Sequence, residues 1–147
     1  MSEFLRKVTW EDAKLLLDWS NDEEVRKNSF CTNKITWEEH VRWLERKLDD
    51  ERCLFYIYMS EKEAVGQIRV DISERTGTIS YSIGKAFRGK GYGGRMLNAM
   101  EKLIKNEHSE VSCLQAEVKV ENIISRRKFE NTGYLGHGII TYTKELR

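Results

Sequence analysis

The sequence predicts a mixed α/β fold, an α+β arrangement in which a central, mostly antiparallel sheet is flanked by helices and contains one parallel strand pair. Three observations predict it. Apolar residues recur at helical spacing over residues 10–20 and 37–49 and again after residue 94. Between residues 53 and 84 the period drops to two, in three runs separated by turns of a few residues. A fourth alternating run follows only after a helix. Short turns join antiparallel neighbours, whereas a strand reached through a helix is placed parallel to its predecessor.

Taken in order, Phe4 to Val8 suits a first strand, and Thr9 with Asp12 has the spacing of a helix cap and its return partner. A helix over 10–20 carries Trp10, Ala13, Leu16 and Leu17 on one side. The polar NDEEVRKNSF reads as a short helix with a loop. Thr36 and Glu39 form a second capping box, and Trp37, Val41, Leu44 and Leu48 then make an amphipathic stripe to about Asp49. CLFYIYMS is a nearly continuous apolar strand. In VGQIRVDI, Ile68, Val70 and Ile72 alternate with polar residues, as Ile79, Tyr81 and Ile83 do in TISYSI. Met96, Leu97, Met100, Leu103 and Ile104 mark a helix to about Lys105. In CLQAEVKV the alternation returns over 113–120, ENIISRRKFENTG is a last helix ending at Gly133, and GIITYTK suits a closing strand.

At 147 residues the chain is expected to be one domain. The net charge of +1, with both signs interleaved, predicts no nucleic-acid footprint. No apolar run is long enough for a membrane span, and MSEFLRKVTW lacks the apolar stretch of a secretory signal, so a cytoplasmic chain is expected. Cys31, Cys53 and Cys113 are too scattered for a zinc site or a disulfide framework and are expected to be reduced and mostly buried. His40, His108 and His137 have no partners in sequence and are expected at the surface.

Residues 84–94, GKAFRGKGYGG, satisfy three phosphate-binding patterns at once. The triphosphate loop fails, because the residue after Lys90 must be Ser or Thr to hold magnesium and is Gly91. The dinucleotide fingerprint fails too, because too little chain follows Gly94 to build a doubly wound sheet. R-x-x-G-x-G, from Arg88, Gly91 and Gly93, remains. Glycines there let successive N–H groups approach an anion in front of a helix N-terminus, with Arg88, Lys90 and Arg95 adding charge.

IGKAFRGKGYGGRML after TISYS, together with VKVENIISRRKFENTGYL, resembles the two signatures of the GNAT acetyltransferase superfamily. The resemblance implies acetyl-CoA as cosubstrate and a strand that splays from its parallel neighbour to admit the pantetheine arm. Ile83 would pair with that arm through its backbone. Arg88, Gly89, Lys90, Gly91, Tyr92, Gly93 and Gly94 would hold the pyrophosphate. Asn122, Ser125 and Phe129 share one helix face and would lie beside the cofactor thiol. Phe129 departs from the family, whose members often carry there a tyrosine that protonates the departing thiolate. A thiol of pKa about 8.5 leaves tolerably without help, so water, Ser125 or another hydroxyl could substitute.

Glu117 matches the position of a base in ribosomal-protein N-terminal acetyltransferases, with Tyr81 and Ser82 as weaker candidates. Cys113 has no paired histidine, so direct transfer in a ternary complex is expected rather than a covalent intermediate. A lysine-like amine is neutral only about once in two thousand molecules at pH 7, a cost of roughly 4–5 kcal/mol, against about 1 for an amine near pKa 8. An uncertain acid and base therefore favour a low-pKa acceptor. LLLDWSNDEEVRKNSF followed by ITWEEHVRWL resembles acetyltransferases of nucleotide-linked amino-sugar pathways such as those of pseudaminic and legionaminic acid, with Trp19, Phe30, Trp37 and Trp43 available to stack on a ring. The expected partner is such a small-molecule amine, with neither nucleic acid nor membrane, and a homodimer left open. A protein N-terminal acetyltransferase and a noncatalytic CoA- or nucleotide-sugar-binding module are the alternatives.

Overall fold

The structure is a computed structural model and describes residues 2–138 and 142–144. Strand β1 (Glu3–Lys7) leads through a single 3-10 turn (Trp10–Asp12) into helices α1 (Ala13–Ser20), α2 (Glu23–Asn28) and α3 (Trp37–Asp49). Strands β2 (Cys53–Ser60), β3 (Glu63–Ser73) and β4 (Thr76–Ile83) form the meander, followed by α4 (Tyr92–Glu107), β5 (Cys113–Gln115) and α5 (Ile123–Asn131). The sheet runs β1-β2-β3-β4-β5, antiparallel except for the parallel pair β4–β5.

The starts of the helices follow from the predicted caps. Thr36 accepts the Glu39 N–H at the start of α3, and Asp12 accepts the Thr9 N–H at 2.9 Å while pairing with Arg6 at 2.8 Å. Asp22 caps α2 by accepting from Glu24 and Val25.

Both faces of the sheet are covered, which explains the unbroken apolar run of β2. On one face Tyr56, Ile68, Val70 and Ile79 pack against Met96, Leu97, Met100 and Ile104 of α4. On the other, Phe55 and Ile57 pack against Leu16 of α1 and Leu44 of α3. Burying each such side chain stabilises the fold by about 1.5–3 kcal/mol.

Four expectations need correction. The run 113–120 is a strand only to Gln115, because pairing with β4 stops at Thr78↔Gln115 and the backbone of 116–119 then leaves the sheet. Cys31 and Cys113 are exposed, one in the polar turn after α2 and one opening an edge strand; Cys53, whose thiol burial pushes up to about 12, is half-buried. His40 is buried, donating to the Ala13 carbonyl oxygen at 2.8 Å and stacking on Trp43. Trp10 sits in the 3-10 turn and is half exposed. The closing strand expected over 138–144 falls on positions 139–141, outside the described residues.

Candidate functional site

Because β5 ends early, the edge of β4 from Ser80 onward is free of strand pairing among the described residues. Gly84 donates its N–H to the Val65 carbonyl, so Gly66↔Ile83 is a non-hydrogen-bonded pair and the N–H and C=O of Ile83 point away from β3. By the two-residue period those of Tyr81 do the same. Between this edge and the departing 116–119 segment lies a cavity of about 470 Å³, within the range of small-molecule sites.

Of the predicted loop residues, Arg88, Gly89, Gly91, Tyr92 and Gly93 line this cavity together with Ile83, whereas Lys90 and Gly94 do not. Its far wall brings in Glu117, Asn122, Ser125 and Phe129. Glu117 is exposed, on the irregular segment rather than on a strand. Asn122 caps α5 through the Ser125 N–H at 3.2 Å. Phe129 is buried between the rings of Tyr81 and Tyr134. Burial pushes the Tyr134 phenol up to about 12.

The loop turns through Gly89 and Gly91, whose φ values of 76° and 83° belong to the left-handed region that costs other residues about 1–2 kcal/mol. Gly91 is the residue before α4, a helix of 16 residues with no acid in its first turn, so the positive end of its dipole is uncompensated.

Two of the expected cations are already committed. Arg88 donates to the Ile83 carbonyl oxygen at 3.0 Å and pairs with Asp22 at 2.7 Å; Arg95 pairs with Glu3 at 2.8 Å. Sequence reasoning missed Lys128, whose chain crosses the start of α4: a β-carbon on Gly93 would meet its Cδ at 2.9 Å and its Nζ at 3.1 Å. Its position three after Ser125, on the same helix side, is the signal that could have found it. A cation held against the positive end of a helix suits an anion between them. These donors fit a diphosphate, and the free β4 edge fits an extended amide-bearing arm.

A second cavity, of about 500 Å³, lies on the α3 side of the sheet, lined by Arg26, Arg42, Arg46, Arg69 and Trp43. Glu39, which accepts the Thr36 hydroxyl at 2.9 Å, is its lining carboxylate among the described residues. Arg69 lies 5.1 Å over the Trp43 ring and donates to the Ser80 hydroxyl at 3.2 Å, and Ser80 lines the first cavity. One hydrogen bond therefore links the linings of the two cavities.

Residues 4–135 match the model of the acetyltransferase (GNAT) domain. The chain belongs to the GNAT acetyltransferase family. As such it is an acyltransferase, and acetyl-CoA is its cosubstrate. Among solved structures, this GNAT chain is similar to the aminoglycoside acetyltransferase AAC(6')-Ib in complex with coenzyme A, at 22% identity over 95% of this chain and 88% of that one, TM-score 0.80. A spermidine N-acetyltransferase from Vibrio cholerae in complex with CoA and spermine is 16% identical over 92% of this chain and 82% of that one, TM-score 0.82. A domain from Methanocaldococcus jannaschii is 23% identical over 90% and 87%, TM-score 0.78. At these identities the likeness is one of fold. No curated protein matches the chain. Among the described residues of this GNAT domain, no helix is long and apolar enough to cross a membrane, and no cluster of His, Cys, Asp and Glu could hold a metal.

Proposed function

We propose that this GNAT acetyltransferase moves the acetyl group of acetyl-CoA to the primary amine of a nucleotide-linked amino sugar, by direct transfer in a ternary complex. The observation that carries the reading is the arginine-lined cavity whose Arg69 is hydrogen-bonded to Ser80 in the wall of the β4 cleft. In a chain of net charge +1 that accumulation is local, and it suits an acceptor whose far end is a diphosphate. Trp43 there and the exposed Phe30 in the first cavity offer faces for a ring.

Bound acetyl-CoA would supply a thioester carbonyl that an amine can attack. In this reading the N–H groups of Gly89 to Gly94, with Lys128, hold the diphosphate, and the N–H groups along the free β4 edge orient the arm and stabilise the developing oxyanion. Asn122, at the start of α5, contacts the arm from the far wall. Glu117 takes the amine's proton, directly or through one water. Burial of Ser125 and Phe129 keeps water from that end of the cleft.

Acetyl transfer measured with a uridine-diphosphate amino sugar, the free amino sugar and a peptide with a free N-terminus tests the reading. The nucleotide-linked acceptor should have a kcat/KM at least about tenfold above the other two, and paired Arg42→Ala and Arg46→Ala changes should abolish that advantage. Equal use of the free sugar, or preference for the peptide, refutes it.

A further inference from the structure

Phe129 lies where the resemblance implies a proton-donating tyrosine, and its ring meets the Tyr81 ring edge-on with centroids 5.7 Å apart. The hydroxyl that α5 lacks thus reaches the same space from β4. The Tyr81 hydroxyl lies 3.1 Å from that of Ser125, and both residues line the cleft. Two hydroxyls carry two protons, and their mutual hydrogen bond uses one. With the Ser125 hydroxyl donating in that bond, the Tyr81 proton is free to donate into the cleft.

The surroundings keep this proton in place. Ser125 and Phe129 are 8% and 7% exposed, and burial pushes the Tyr81 phenol above its usual value despite the opposing bond from Ser125. At neutral pH Tyr81 is therefore a donor and not a phenolate. Across the same cavity stand the charged groups Glu24, Arg88, Glu117 and Lys128.

The geometry points to Tyr81, hydrogen-bonded to Ser125, as the proton donor to the sulfur released in acetyl transfer; this rests on the acetyl-CoA-to-amine reading above. As the C–S bond breaks and its electron pair passes to sulfur, the Tyr81 O–H donates to it. A phenol that burial holds above its usual value gives up its proton to a thiolate only uphill. The hydrogen bond therefore carries the first part of the step. Transfer completes as the proton that Glu117 has taken from the acceptor nitrogen is released to solvent and the pair regains one from it. Overall one N–H becomes one S–H, and no other reagent is consumed.

Tyr81→Phe removes a single oxygen and leaves the ring against Phe129. Its kcat with acetyl-CoA should fall about 10- to 100-fold, while KM for acetyl-CoA changes less than about threefold. Calorimetry gives a readout independent of turnover: the wild type should bind coenzyme A several-fold more tightly than its desulfo analogue, and Tyr81→Phe should lose that preference. Ser125→Ala, which keeps the Tyr81 O–H but not its partner, should weaken it only in part, with a smaller fall in kcat, and Phe129→Tyr in the Tyr81→Phe background should restore part of the rate. Unchanged kcat with the preference retained in Tyr81→Phe overturns the assignment. Failure of the wild type to bind either ligand overturns the acetyl-CoA reading instead, and the assignment with it.

Discussion

Arg88 and Asp22 meet at 2.7 Å and tie the start of the glycine loop to the N-terminus of α2, whose Glu24 and Val25 line the cleft. The sequence separates them by 66 positions. Arg88 thereby spans two walls of the site, since it also donates to the Ile83 carbonyl. In the resemblance this arginine belongs to the phosphate loop; in the structure its guanidinium positions the loop.

Asp22→Asn tests that link. Asn still caps a helix, so the variant loses the ion pair alone and should cost about 1 kcal/mol in urea unfolding, whereas Asp22→Ala loses cap and pair and should cost about 2–3. Burial pushes the Asp22 carboxyl up, but Arg88 and the N–H groups of Val25 and Glu24 outweigh it and hold it below the usual range. Its contribution is therefore present above the unfolded carboxyl value near 3.9 and lost as pH falls through the folded one. The gap between wild type and Asp22→Asn should be full at pH 7 and shrink below about pH 4.

Lys128→Ala should weaken coenzyme A binding about five- to tenfold at low salt, and less as salt screens the charge. Gly91→Ala should weaken it more, because it forces a side chain to φ 83° and sets a β-carbon 2.8 Å from the Arg95 guanidinium. Titration by fluorescence or calorimetry at two ionic strengths separates the effects. An equal loss at both strengths for Lys128→Ala would remove the anion-holding role.

The elements were legible wherever one period ran unbroken. Trp37 to Asp49, the β2 run and the face of Met96, Leu97, Met100 and Ile104 follow directly from spacing. The early end of β5 was not legible, because Ala116, Val118 and Val120 alternate as well as Leu114 does; alternation reports which side a residue faces, not whether a neighbouring strand is present. Ile83, the glycines and the α5 face were readable as a local motif. Lys128, Tyr81–Ser125 and Arg88–Asp22 were not, since each pairing closes only when α5 or α2 docks on β4 or its loop. His40 was misread because one polar residue on an amphipathic helix is equally compatible with either side.

His40 should give the fold a pH dependence near neutrality. Burial lowers its pKa, only partly offset by its bond to Ala13. The unfolded chain then binds a proton that the fold resists, so stability falls as pH drops below the unfolded value near 6.5 and levels off below the folded one. His40→Gln keeps a donor for the Ala13 carbonyl and cannot titrate. Its melting temperature should change less between pH 7.5 and 5 than that of the wild type. Parallel curves would mean that His40 is not the group responsible.

Glu117→Gln separates proton removal from binding. The carboxylate is exposed at the cavity wall, on a segment whose backbone has left the sheet. Its contribution should come from positioning and from water relay, and the loss should be moderate. We expect kcat/KM for the acceptor to fall about 10- to 100-fold at pH 7, with acetyl-CoA affinity unchanged. Because the need for a base falls once the amine is already neutral, the deficit should narrow as pH rises through 8. A deficit constant from pH 6.5 to 9 would assign Glu117 to acceptor binding and leave the amine's proton to solvent.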